Sequence, residues 1–117
     1  MQPSRRPQRM GHEIQHEISE ILLRGLKDRR VGFVTVTAVD MSPDLRHARV
    51  FVSSLGNPDE RAESLRALNH AAGWIRRELG QRIRMRFVPE IVFEEDTSQE
   101  YGARIDSLLD EIREEEQ

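Results

Sequence analysis

The spacing of apolar residues changes several times along the 117 residues, and each change marks a different kind of element. From Arg9 it is helical. Met10, Ile14, Ile18, Ile21, Leu22 and Gly25 form one stripe at the 3.6-residue period, and this helix should end near Leu26. Val31 to Met41 is rich in β-branched residues and alternates instead. Val34, Val36 and Ala38 share one face, and Phe33, Thr35 and Thr37 the other. His47 to Leu55 alternates again, with Ala48, Val50 and Val52 opposing His47, Arg49, Phe51 and Ser53. The turn residues Ser42, Pro43 and Asp44 between the two runs predict an antiparallel hairpin.

After Gly56 the helical period returns. Asn57 can cap, Pro58 suits the first helical position and Glu60 completes a capping box. Leu65, Leu68 and Ala72 mark the expected buried stripe. The small residues Ala71, Ala72 and Gly73 interrupt it, and glycine inside a helix costs about 1 kcal/mol relative to alanine. A kink or a two-helix junction is expected there. The next helix places Ile75, Leu79 and Ile83 inward and Arg76, Arg77, Arg82 and Arg84 on its polar sides. Arg86 to Phe93 reads as a third strand in which Pro89 demands an edge position or a late start. Glu94, Glu95 and Asp96 close it. Thr97 or Ser98 then caps a last helix with the stripe Ile105, Leu108, Leu109 and Ile112.

The predicted fold is α+β, a two-layer sandwich in the order α-β-β-α-kink-α-β. Helices cover one face of a three-stranded mixed sheet. A strand-to-strand crossover through helices can make a parallel pair, which is right-handed. The length fits one core. Residues 9–96 should form the domain, residues 1–8 a mobile basic arm, and residues 97–117 an acidic helix and tail.

Charge is segregated. Residues 1–93 carry 16 basic and 11 acidic side chains, whereas residues 94–117 carry 2 basic and 10 acidic ones. A basic body suggests a polyanionic partner. Every basic residue except Lys27 is arginine, whose planar fork suits phosphates and base stacking. A genome rich in G and C would also favour arginine. Cysteine is absent, which removes disulfides and thiolate sites and fits a reducing cytoplasm. No secretory signal or membrane-spanning run is read, so no membrane partner is expected.

His12, Glu13 and His16 spell H-E-x-x-H, a zinc-protease signature when it lies on a helix. On a wheel of 100° per residue, both histidines fall about 160° from the stripe centre at Ile14. They should therefore face solvent. The continuation that would supply a third ligand is missing, since positions 19 and 22 hold Ser19 and Leu22. No phosphate-binding glycine loop, nucleophile elbow or triad is found, and Glu94 to Asp96 reads better as charge bias at a helix start than as a magnesium site. Neither an enzyme nor a cofactor is expected.

The order strand, helix, small-residue kink, helix, strand matches the core of KH domains, which clamp single strands at a glycine loop between two helices. Here Ala71, Ala72 and Gly73 stand at that junction. Arg76, Arg77, Arg82, Arg84 and Arg86 follow, and Arg5, Arg6 and Arg9 lie near the chain start. Together these are the candidate RNA-binding residues, and such side chains would give salt-sensitive binding.

Four stretches carry a closer resemblance: R-R-P-Q-R-M-G-H-E-I-Q-H-E-I, T-V-T-A-V-D-M-S-P-D-L-R-H-A-R-V-F-V-S, A-A-G-W-I-R-R-E-L-G-Q-R-I-R-M-R-F-V-P-E-I-V-F and D-T-S-Q-E-Y-G-A-R-I-D-S-L-L. In this order they resemble the ribosome-binding factor A family, from about Arg5 to Ile112. The resemblance implies a type-II KH fold whose glycine loop is replaced by an Ala-x-Gly kink, matched here by Ala71 to Gly73. It also implies a non-catalytic factor of the free 30S subunit and its 16S rRNA. Such a factor acts late in maturation, assists formation of the 16S rRNA 5′ end, is linked to growth in the cold and leaves before translation. Ribosomal proteins and assembly GTPases are further expected partners, and a cytoplasmic monomer is expected. A different class remains in view, a protein-binding module using the sheet face around Phe33, Thr35, Arg49 and Phe51.

Overall fold

The computed structural model describes residues 5–25 and 34–98. Its elements run α1 (Arg6–Gly25), β1 (Val34–Met41), β2 (His47–Ser54), α2 (Pro58–His70), α3 (Ala72–Arg82) and β3 (Glu90–Glu95). The sheet order is β1-β2-β3, with β1 antiparallel and β3 parallel to β2. This is the KH-like α+β architecture that the residue pattern predicts.

Helix α1 starts at Arg6 rather than Arg9. Pro7 lies in the first turn, where its missing N–H breaks no helical bond. The basic arm predicted over residues 1–8 is thus already helical from Arg6. Ile14, Ile18 and Ile21 are buried and form the helix's contribution to the core. Gly11 lets α1 approach β1 closely, because a Cβ there would lie 3.0 Å from the Val39 carbonyl oxygen. Leu26 and Val31 to Phe33 lie outside the described residues.

The hairpin departs from strict alternation at one place. Val36 pairs with Val52 and Ala38 with Phe51, so Thr37 is an extra residue in β1. This β-bulge reverses the inward face beyond it. Val36 and Met41 are buried and Val39 half-buried, whereas Ala38 is exposed. The expectation that Ala38 shares a face with Val34 and Val36 is therefore corrected. On β2, Ala48, Val50 and Val52 share one face as predicted, and that face is buried. The turn is tied by the Asp44 carboxylate, which accepts from the Ser42 hydroxyl (2.6 Å) and the Arg46 amide (3.1 Å).

Helix α2 begins with the predicted capping box. The Asn57 side chain accepts from the Glu60 amide at 2.8 Å, and the Glu60 carboxylate accepts from the Asn57 amide at 3.3 Å. Such a cap contributes about 1 kcal/mol. The buried residues of α2 are Ser64, Ala67 and Leu68, while Leu65 and Ala72 are only partly covered. Two of these three are small, so the buried stripe of α2 is not the run of large apolar residues that the periodicity suggests. Ala71 is the junction. Its N–H reaches the Ala67 and Leu68 carbonyls and its carbonyl accepts from Ile75, so helical bonding continues through the kink.

Helix α3 ends at Arg82, so Arg84 lies beyond it rather than on its polar side. Ile75 and Leu79 are fully buried and Ile83 partly so. Strand β3 starts at Glu90, immediately after Pro89, four residues later than Arg86. It sits at the sheet edge, as proline requires. Glu94 and Glu95 belong to the strand rather than closing it. Asn69 covers part of its free edge, donating to the Phe93 carbonyl (3.0 Å) and accepting from the Phe93 amide (2.8 Å). The last predicted helix, with Ile105, Leu108, Leu109 and Ile112, lies outside the described residues.

Candidate nucleic-acid interface

Burial of Ile75 and Leu79, one turn apart, fixes which way α3 faces. Arg76, Arg77 and Arg82 are left on the solvent side. They differ in freedom. Arg76 donates twice to the Val88 carbonyl, at 2.8 and 3.2 Å, and so braces the α3–β3 connection. The Arg82 guanidinium lies 3.4 Å from the Glu17 carboxylate of α1. Arg77, Arg84 and Arg86 are exposed and have no acidic partner among the described residues.

The structure divides the predicted basic residues into two groups. One is the kink, where Ala71 and Ala72 are half-buried and Gly73 is exposed with Arg76 and Arg77 following. A Cβ at Gly73 would meet nothing within 4 Å, so the fold itself does not require glycine there. The other lies past the far end of α3. Gly73 and Arg82 are about 14 Å apart along the helix, at 1.5 Å per residue. Here Arg84 and Arg86 meet Arg6 of α1 around a cleft of about 320 Å³. Arg9 is exposed one turn along α1 and borders the neighbouring groove with Arg6, while Arg5 precedes the helix.

Sequence reasoning missed the aromatic at this second site. Phe87 is 56% exposed, with the Arg46 and Arg86 guanidinium carbons 5.0 and 5.7 Å from its ring centroid. An aromatic next to the run R-I-R-M-R is a readable signal for stacking. Placing it inside a strand conceals that signal. Arg46 has no local signal, since the hairpin turn brings it there from 41 residues away.

The other candidate centres are occupied differently. His12 and His16 are exposed on α1, as the wheel indicates. Arg82 and Arg84 share their groove and oppose a bound dication. Among the described residues no group of three His, Asp or Glu side chains could hold a metal. On β3, the Glu94 carboxylate takes the Arg49 guanidinium at 2.5 Å, and Arg61 lies 3.5 Å from Glu95. Hydrogen bonding and charge from Arg49 hold Glu94 below its ordinary value. Asp96 is held low by the Ser98 side chain, by Thr37, whose hydroxyl donates at 2.5 Å, and by the Ser98 amide. Glu94 is paired with Arg49 of β2, Glu95 with Arg61 of α2 and Asp96 with Thr37 and Ser98, so these carboxylates lie at the end of the sheet away from Arg84 and Arg86.

The family model described as ribosome-binding factor A matches residues 6–109. A Geobacter protein carrying that name is 49% identical over 92% of this chain and 91% of its own length. The crystal structure of ribosome-binding factor A from Thermus thermophilus superposes with a TM-score of 0.67 at 27% identity, covering 76% of this chain and 94% of that one. A homology model of the Thermus thermophilus factor, fitted into a cryo-electron-microscopy map of its complex with 30S, is similar at 28% identity. Its TM-score is 0.62, and it covers 74% of this chain and 91% of its own.

Proposed function

The chain belongs to the ribosome-binding factor A family, and on that premise we propose that it is a non-catalytic assembly factor that binds the free 30S subunit through 16S rRNA. It assists late maturation, including formation of the 16S rRNA 5′ end. The observation that carries this reading is the set of exposed guanidiniums at Arg77, Arg84 and Arg86 without acidic partners among the described residues, in a chain whose relative is fitted into a 30S complex. Arginine forks neutralise phosphates and release counterions. The kink adds a bare backbone at Gly73 that a phosphate can approach. At the start of α1, Arg6 and the preceding Arg5 add to this basic surface, and Arg9 follows one turn along. Residues 97–117 oppose rRNA by their charge, so the contact falls on the basic body.

A bound factor shifts a conformational equilibrium only by its differential affinity for the two states. It must therefore hold immature subunits more tightly than mature ones. A sucrose gradient of cell extract tests the assignment to the free 30S subunit. The protein should travel with free small subunits and be depleted from whole ribosomes. Migration alone at the top of the gradient, or equal loading on whole ribosomes, contradicts the assignment.

A further inference from the structure

The cleft of about 320 Å³ past the end of α3 has the chemistry of a nucleotide site. Its position differs from that of the kink, at the opposite end of the helix. Three elements meet there: the start of α1, the hairpin turn and the α3–β3 connection. Methionines 10, 41 and 85 supply a soft apolar lining. Phe87 adds an exposed ring, and Arg46 and Arg86 lie close to it. Arg6, Arg84 and Arg86 supply positive charge, and Asp44 supplies one carboxylate.

We infer that this cleft receives one unpaired nucleobase of the bound RNA, stacked against Phe87 with its phosphates on Arg84 and Arg86. The inference rests on the RNA-binding reading above. Three features favour a nucleotide. The volume is at the low end of the about 300–1,000 Å³ typical of small-ligand pockets, enough for a single residue of RNA. Arg46 and Arg86 lie over the Phe87 ring, which stays 56% exposed, and such layered guanidinium and aromatic surfaces are those on which splayed bases stack. Polarity is also uneven. The Asp44 carboxylate is fixed by Ser42 and Arg46, whose hydrogen bonds lower its pKa and keep it ionised. It repels phosphate, so the backbone is directed to the arginines and the base toward the turn. A base still paired in a helix keeps its faces covered by its neighbours. Only an unstacked one can use the ring.

The test uses the full chain and purified free 30S subunits. Phe87 is more than half exposed, so Phe87→Ala should keep the wild-type melting temperature. Loss of one stacked base should weaken subunit binding by about 5- to 150-fold. The salt slope should not change, because no charge is removed. Phe87→Trp should bind within about threefold of wild type. Cross-linking separates this inference from the reading beneath it. With p-benzoylphenylalanine in place of Phe87, irradiation should yield one dominant reverse-transcription stop, at an unpaired nucleotide of 16S rRNA. The same photoprobe in place of Arg77 reports the helix surface. Cross-links to rRNA from position 77 but not from 87, or Phe87→Ala binding within about twofold of wild type, overturn the base pocket and leave rRNA binding standing. No rRNA cross-link from either position overturns both.

Discussion

Arg82 and Arg84 are two positions apart in the chain, yet among the described residues only Arg82 of the two meets an acid, Glu17 of α1. Composition and spacing make both visible as cations. They do not show which is paired, because Glu17 is brought to Arg82 by the packing of α1 on α3. The same limit applies to Arg76, whose donors serve the Val88 carbonyl. Gly73 shows the reverse. Its place in the kink is legible from the run of small residues, and the structure adds that its Cβ position is open. Gly73→Ala should therefore stabilise the fold by up to about 1 kcal/mol, the helix-propensity difference. If RNA backbone approaches there, the same variant should bind 30S subunits less tightly. Thermal melts and subunit titrations check the two halves. A variant more stable yet equal in binding would remove the kink from the contact surface.

At the scale of elements, the strongest local signals are the most informative. The Asn57-Pro58-Glu60 start of α2 is realised bond for bond, because a capping box is a contact among near neighbours. Helix α1 is legible in its apolar stripe but not in its first turn, where Pro7 masks a helix that tolerates it. The Thr37 bulge is not legible, since one extra residue in a strand leaves the composition unchanged and only the pairing with β2 reveals it. Strand β3 reads too early in the sequence because Phe87 and Val88 look like strand residues, whereas Pro89 delays the ladder. The acids near its end make pH a probe of this element. Glu94 and Asp96 are held below their ordinary values of 4.5 and 3.8, as is Asp44 in the hairpin turn. Folded pKa values below unfolded ones add stability that is present above the unfolded values and lost as pH falls through the folded ones. Denaturant midpoints should therefore be level from neutral pH down to the ordinary carboxylate range and decline below it. Asp96→Asn should flatten part of that decline. A midpoint that rises on acidification contradicts the assigned pairing.

For the whole molecule, the division of charge visible in the sequence has a spatial counterpart. Glu94 and Glu95 of β3 are matched by Arg49 and Arg61, while Arg84 and Arg86 gather with Arg6 beyond α3. The order of elements and the mixed sheet follow from periodicity. The meeting of α1, hairpin turn and α3–β3 connection does not, because it depends on how the layers stack. Pairwise ionic interactions at this surface are screened by salt, so salt is the natural variable. Removing one arginine–phosphate pair should lower the slope of log affinity against log salt by about 0.7–0.9. The decisive measurement compares wild type with the triple variant Arg77→Ala, Arg84→Ala, Arg86→Ala in binding to free 30S subunits over a range of salt. With the fold intact by melting, the triple variant should bind more weakly and its slope should be shallower by about 2–3. Equal affinity and an equal slope would show that these guanidiniums do not touch rRNA.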